Sequence, residues 1–372
     1  MTTFSLCMIV KNEEQLLNRC LDSIYDLVDE IIIVDTGSTD STKEIAKCYT
    51  DKIYDFEWIN DFSAARNYAF SKCTMDYIYV ADADEYLDDD NRFQFKVLKE
   101  NIYPEIEIVQ MMYKTISHDT VLNIYKEYRP KLFKRLREFT WINPVHETVR
   151  LDPLVFDSDI VVTHAPLSNH SKRDLSIFKE VLDKDGVLPD DLIQMYACEL
   201  YKNGTDEDFM EASKYFTVIE NFEELKNSDG EKILTAFDYF RIPISVKCLR
   251  LFHDSDFEKY ALLADDFFEG ENSEICYELG EYYIENKAYD NAQKYFLKAH
   301  MGSSTLDIHV SGDYALKKLI KCCEMTISHY EEYKLANGAD DKMDALIDET
   351  KAIMEKYQLT LNDWKMPEEN VV

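Results

Sequence analysis

The seven residues FSLCMIV, at positions 4–10, carry no charge and only one hydroxyl. A strand this apolar has no face to offer water. It belongs in a sheet covered on both sides, which means a parallel sheet with helices across it. The next residues meet that demand. NEEQLLNRCLDSIYDL sets Leu16, Leu17, Cys20, Leu21 and Ile24 at helical spacing. EIIIVD (30–35) is a second buried strand, and GSTDSTKEIAKCY is a turn and a helix with Ser or Asp free to cap it. KIYDFEW (52–58) reads as a third strand, DFSAARNYAFSKC as a helix and YIYVADAD (77–84) as a fourth strand. This alternation predicts a doubly wound α/β sheet. EIEIVQMMYKTI, VLNIYKEYRPKLFKR, FTWINPVHETVRL and DIVVTHAPL then read as further strands, the first two as a hairpin.

From residue 171 the pattern is helical and stays so, which divides the chain into an expected 1–170 α/β domain and a 171–372 all-α domain. In CYELGEYYIENKAYDNAQKYFLKAH (276–300), Leu279, Gly280, Tyr283, Ala292, Phe296 and Ala299 stand at the positions of a tetratricopeptide-like repeat. Small residues there let two antiparallel helices approach, and aromatics fill the gap. Residues 196–219 repeat the pattern with Ala197, Tyr201, Ala212 and Phe216, across an inter-helix turn two residues longer. Arrays of this kind grip a peptide or a partner rather than perform chemistry. The vicinal pair Cys322-Cys323 reads as part of a buried helix.

Composition removes several classes of function. A formal net charge of −32 disfavours a nucleic-acid backbone or an anionic membrane as partner. Nine cysteines, none in CxxC spacing, do not make a disulfide framework or a zinc site, which suits a reducing cytoplasm. FSLCMIV is too short for a signal-peptide core and KNEE follows it at once, so no signal peptide is expected, and no run reaches the length of a membrane span. The expected setting is soluble and cytoplasmic.

The polar residues gather at strand ends, where open α/β sheets bind ligands. Strand one ends in Lys11, Asn12 and Glu13, strand two in Asp35, Thr36, Gly37, Ser38 and Asp40, and strand four in Asp82, Ala83, Asp84 and Glu85. Asp82 and Asp84 would repel one another if left unpaired, and a divalent cation removes the conflict. Hard oxygen ligands suit Mg²⁺ or Mn²⁺, completed by water and a diphosphate. An acidic loop after a strand is the plainer reading of D-x-D alone. DTGSTDST lacks both GxGxxG and GxxxxGK[ST], so it is not a dinucleotide or Walker-type loop. As a simple capped turn it leaves Asp35 unexplained, and that carboxylate could accept from a nucleobase or ribose.

In their order and spacing, MIVKNEEQLLNRCLDSI, EIIIVDTGSTDST, DFSAARNYAF and VADADEYL resemble a family 2 glycosyltransferase of the GT-A fold, over roughly residues 3–165. With the tetratricopeptide-like half, the chain resembles bacterial enzymes that glycosylate peptides, including S-glycosyltransferases of glycosylated bacteriocins. WINDFSAARN and VHE are similar to that subgroup. The N-terminal motifs also resemble lipopolysaccharide-core glucosyltransferases.

The resemblance implies a UDP-sugar donor, Mn²⁺ or Mg²⁺, and inversion at the sugar carbon. It implies that Val10, Asn12, Glu13, Asp35, Gly37, Ser38, Arg66, Asp82 and Ala83 line the nucleotide-sugar pocket, with Asn67 supporting a turn. Here Thr36 stands where the family more often has a second acid, leaving Asp35 to act alone. Asp84 is expected to bind the metal directly, with Asp82 on ribose or a metal water. His164 is either a further ligand or a strand-end histidine bonded to backbone. PVHETV offers Glu147 as base and His146 as a polar contact, strand alternation aiming them to opposite faces. A thiol acceptor would need little help from a base. Arg66, Lys131 and Lys134 could assist electrostatically, solvent-exposed charge being the plainer reading. The acceptor would be a peptide or protein held by the helical repeats, with a homodimer left open. Two other readings stand beside this one: a saccharide or lipid-linked glycan acceptor, and an inactive transferase domain on a peptide-binding scaffold.

Overall fold

The computed structural model describes residues 2–116, 126–135, 141–149, 153–167, 171–337 and 341–364. They fall into two compact units that divide between residues 180 and 181. The expected boundary at 170 adjoins residues 168–170, which lie outside the described residues.

In the first unit the chain runs β1 (Phe4–Val10), α1 (Leu17–Asp22), β2 (Glu30–Asp35), α2 (Thr42–Ala46), β3 (Ile53–Asp55), α3 (Phe62–Phe70), β4 (Tyr77–Val80), β5 (Glu85–Tyr86) and α4 (Asp89–Asn101). It continues with β6 (Ile108–Thr115), β7 (Lys126–Lys134), β8 (Trp141–Ile142), β9 (Thr148–Val149), β10 (Val155–His164) and α5 (Ser171–Asp185), the last of which spans the division between the units. Eight strands form one sheet in the order β3-β2-β1-β4-β7-β6-β10-β5. The four strands read as βαβαβαβ are mutually parallel. β7 is antiparallel to both its neighbours, and β6 and β10 are parallel. This mostly parallel sheet is the α/β architecture expected of a GT-A domain. The apolar run of β1 is the reason for its central place: Phe4, Leu6 and Met8 are all completely buried, and Phe4 meets Tyr77 and Phe95 edge to face.

Two strands stop earlier than their apolar runs suggest. β3 ends at Asp55, because the chain turns towards Asp61, which caps α3 by accepting from the Ala64 amide at 3.0 Å. β4 ends at Val80, and the acids leave the ladder in a turn closed by the Glu85 amide donating to Asp82 O at 3.1 Å. The turn places Asp82 and Asp84 in the crevice while Glu85 re-enters the sheet in β5.

The second unit is helical among its described residues. It holds α6 (Asp190–Asn203), α7 (Asp206–Ala212), α8 (Ala236–Leu251), α9 (Phe257–Phe267), α10 (Ser273–Glu285), α11 (Tyr289–Met301), α12 (Ala315–Asn337) and α13 (Asp341–Asp363). α10 and α11 form the expected repeat pair, with Leu279, Gly280, Tyr283, Ala292, Phe296 and Ala299 all buried. Gly280 is needed there because a Cβ would stand 2.7 Å from the Phe296 ring. The second expected pair differs. Ala197, Tyr201, Ala212 and Phe216 are buried, but α6 packs chiefly on α8, and Phe216 lies beyond the end of α7. The longer turn is absent, because a capping box of Thr205 and Asp208 starts α7 directly after Gly204. Cys322 and Cys323 are buried in α12, and all nine cysteines are free thiols.

Candidate active site at the strand ends

The carboxyl ends of β1, β2 and β4 meet, as their polar residues foretell. β1 and β2 are in register up to Val10 and Asp35, and the Thr36 amide donates to Val10 O at 2.9 Å. Asn12 adopts a left-handed φ of 56°. This lets its amide donate to Ser38 Oγ at 2.9 Å while its Oδ1 accepts from the Thr39 amide at 2.8 Å. The Glu13 amide donates to Thr42 Oγ1 at 2.7 Å. The turn after β2 is thus tied to the end of β1 by side chains. Gly37, with φ of 104°, takes a conformation that L side chains rarely adopt.

Asp35 is 1% exposed, and its Oδ1 accepts from the amides of Gly37 and Ser38, both at 3.0 Å. Its Oδ2 is buried with no hydrogen-bond partner. A buried oxygen left this way costs free energy until a ligand or water completes it. The sequence-level question about Asp35 therefore has a physical counterpart: half of this carboxylate builds the turn, and half is unused.

Asp84 shows the same pattern. Its Oδ2 lies 3.0 Å from His164 Nε2, and its Oδ1 is buried and unpartnered. His164 ends β10, where its ring lies against Tyr113 with centroids 5.1 Å apart. The Asp84 carbonyl accepts from Arg19 and from the Ala165 amide, which fixes the turn against β10. Asp82 is placed differently. Its Oδ1 accepts from Arg66 at 2.7 Å, although its side chain remains 42% exposed. Burial opposes its ionisation, but the charges of Arg66 and Lys131 win and hold its carboxyl well below the usual range. Ala83, between the two acids, is buried.

Arg66 is 4% exposed on α3 and holds two acids 65 residues apart in sequence. One guanidinium nitrogen donates to Asp82, and Nε donates to Glu147 Oε1 at 3.1 Å. Asn67 beside it exchanges hydrogen bonds with the backbone of Trp141 in β8, which ties α3 to that strand. Glu147 and His146 do not alternate along a strand. They lie in and directly after a turn in which Asn143 and His146 both have positive φ, ahead of β9. The His146 ring stacks on Phe178 with centroids 5.8 Å apart, and its Nε2 is buried without a partner. Burial pushes its pKa down.

Among the crevice acids, Glu13 is perturbed upward. Burial first, then the charges of Asp84, Asp82 and Asp40, push its pKa up to about 7. One expectation about cations changes. Lys131 is no solvent-exposed strand charge: it is buried and bonded to both oxygens of buried Glu85, at 2.6 and 2.7 Å. Lys134 is bonded to Pro104 O instead of reaching the crevice. Arg19 and Tyr113 carry no signal of their own in the sequence, whereas Glu85 stands out there in the acidic run.

Among the described residues no group of three or more His, Cys, Asp or Glu side chains is ready-made for a metal ion. Asp84 and His164 supply a pair, with one orphaned carboxylate oxygen and one imidazole nitrogen. That donor set fits Mn²⁺ or Mg²⁺ with the remaining positions left to water and substrate.

Residues 5–148 match the family model described as glycosyl transferase family 2. The chain therefore carries a family 2 glycosyltransferase domain, followed by a tetratricopeptide-like helical region. It is 38% identical over 161 residues to a TPR repeat-containing protein of Synechococcus elongatus, covering 40% of this chain and 36% of that one. It is 31% identical over 164 residues to the SPbeta prophage-derived glycosyltransferase SunS of Bacillus subtilis, covering 42% of this chain and 36% of the relative. The match thus spans little more than a third of the length of these relatives. Among solved structures, glucosyl-3-phosphoglycerate synthase from Mycobacterium tuberculosis, in complex with Mn²⁺ and UDP-glucose, is 14% identical with a TM-score of 0.36. That comparison covers 50% of this chain and 80% of the other, a likeness too slight to carry an argument.

Proposed function

We propose that this chain moves a sugar from a UDP-sugar to a peptide or protein, with inversion and with a divalent cation. The observation that carries the reading is the pair of buried, unpartnered carboxylate oxygens at the ends of the two strands that flank β1, Asp35 Oδ2 after β2 and Asp84 Oδ1 after β4, inside a family 2 domain. Asp35 would accept from the base or ribose, and the turn amides around Gly37 and Ser38 hold it for that task. Val10, Asn12, Glu13 and Ala83 would form the walls. Asp84 and His164 would hold Mn²⁺ or Mg²⁺, with Asp82 near enough to join through water or to meet the ribose. Such an ion offsets the charge that develops on a departing diphosphate.

Glu147 would take the acceptor proton. Its Oε1 is fixed by Arg66, and its Oε2 has no hydrogen-bond partner among the described residues. Inversion requires that proton to leave on the face opposite the diphosphate. Arg66 would then position groups at both ends of the reaction, Asp82 on the donor side and Glu147 on the acceptor side. The buried stacking of His146 suits a wall of the acceptor site more than a proton carrier. The repeat pair α10–α11 supports a peptide or protein acceptor, because such helical arrays present surfaces rather than chemistry. No described helix is long and apolar enough to cross a membrane.

The test is turnover of UDP-sugars with Mn²⁺ and a library of unstructured peptides, read by peptide mass. Addition of one hexose or N-acetylhexosamine mass to a peptide is the expected result. Transfer to oligosaccharides but never to peptides would replace the acceptor assignment, and absence of turnover with every donor would remove the enzymatic one.

A further inference from the structure

The strand-end crevice is crowded with carboxylates, and most cations around it are already committed. Arg66 serves Asp82 and Glu147. Lys131 serves Glu85, Lys43 serves Asp55, and Arg19 is bonded to the main-chain oxygens of Asp84 and Ala165. A nucleoside diphosphate would add further negative charge to this region. Asp82, Asp84 and Glu13 would repel it wherever they were not offset.

Arg173 is in a different state. It lies near the start of α5, and its side chain is 44% exposed. Its guanidinium carbon stands 4.7 Å from the centre of the Phe62 ring, and Nε donates to the neighbouring Asp174 at 2.8 Å. Its two terminal amines have no hydrogen-bond partner among the described residues. Its surroundings belong to the site. Phe62 opens α3, the helix that carries Arg66, and its amide donates at 2.8 Å to Pro144 O in the turn that carries His146 and Glu147. Phe178, further along α5, is the residue on which His146 stacks. The charge of Arg173 also bears on Glu13 at the end of β1 and on His146, so it reaches both sides of the crevice.

We propose that Arg173 is a substrate-contacting residue that grips the donor diphosphate, an inference that rests on the nucleotide-sugar reading above. The aromatic face of Phe62 supports the guanidinium plane without using its N–H donors. Those donors point from a planar fork that matches phosphate oxygens two at a time. The single carboxylate now bonded to it is a sequence neighbour held through Nε alone, and the guanidinium end of the pair is the solvent-exposed one. Exchanging it for a diphosphate gains charge neutralisation that the acid-rich crevice otherwise lacks.

The experiment compares binding of UDP and of uridine, which lacks both phosphates, to the full chain and to Arg173→Ala, with Mn²⁺ present throughout. Arg173→Ala is expected to weaken UDP about tenfold or more, the scale of one charge-assisted hydrogen bond, and to leave uridine unchanged. Arg173→Ala is also expected to raise the donor KM, and Arg173→Lys to recover part of both losses. UDP binding equal to wild type, or equal weakening of UDP and uridine, would overturn the proposal. If Arg173→Ala does not fold, Arg173→Gln is read by the same two ligands. A wild type that binds no UDP removes the donor reading itself, whereas a wild type that binds UDP beside an indifferent variant removes only the role of Arg173.

Discussion

Replacing Arg66 by leucine removes one buried cation and leaves two acids without their partner. Arg66 is 4% exposed, and Asp82 and Glu147 are bonded to it at 2.7 and 3.1 Å. Its guanidinium also lies 5.6 Å from the Trp141 ring centre. Removing one partner of a buried ion pair costs about 3–5 kcal/mol. The Asp82 side chain is 42% exposed and regains some solvation, so about 2–4 kcal/mol is expected here. The pH dependence carries its own sign. Arg66 and Lys131 hold the Asp82 carboxyl below its unfolded value, which is about 3.9. A depressed pKa contributes stability that is present above the unfolded value and is lost as pH falls towards the folded one. The deficit of Arg66→Leu should therefore be constant from pH 7 to about 4 and shrink below that. Urea unfolding followed by circular dichroism at pH 7, 5, 4 and 3 measures it. A variant as stable as wild type at pH 7, or a deficit that grows below pH 4, would refute the electrostatic reasoning.

Three further outcomes can be checked independently. Glu274 is buried and accepts from the amides of Thr305, Leu306 and Asp307, yet burial still pushes its pKa up to about 6. A raised carboxyl pKa favours the folded state below the unfolded value of about 4.3. Wild type should thus lose about 2 kcal/mol as pH rises from 4.3 to 6, a step that calorimetric melting should find missing in Glu274→Gln. Gly280→Ala sets a Cβ against the Phe296 ring, and should destabilise the second unit by about 1–2 kcal/mol after the helix-propensity gain is allowed for. A higher melting temperature would show that the α10–α11 pair has room. Glu147→Gln should lower kcat on a hydroxyl acceptor at least about a hundredfold and change donor KM little. A kcat near wild type would move the base elsewhere.

The parts of this molecule that were legible are those written locally. β1 and β2 are continuous apolar runs, so their burial on two faces, and hence the parallel sheet, could be read directly. The acids after β4 were visible because charge follows an apolar run abruptly. The α10–α11 pair was visible because small and aromatic residues repeat at helical spacing. What escaped depends on partners distant in sequence. Nothing near Arg66 indicates that its second acid is Glu147, 81 residues on. Lys131 sits among strand charges that alternate towards solvent, and only the approach of β5 and β7 buries it against Glu85. The turn before β9 defeated strand alternation, because two left-handed residues, Asn143 and His146, cannot be recognised from their side chains alone. The second repeat failed for the reverse reason: its buried positions were right, but a local cap at Thr205 reset the helix that should have carried them.

The most direct test is a calorimetric titration of UDP into the full chain, first with Mn²⁺ and then with EDTA, repeated with Asp84→Asn. Asp84 Oδ1 is buried and unpartnered, and His164 stands beside it. If these two residues hold the cation that holds the diphosphate, UDP binds with Mn²⁺, weakens sharply in EDTA, and binds weakly to the variant with or without metal. Equal binding in all four titrations, or no binding by wild type, would contradict that role for the carboxylates at the end of β4.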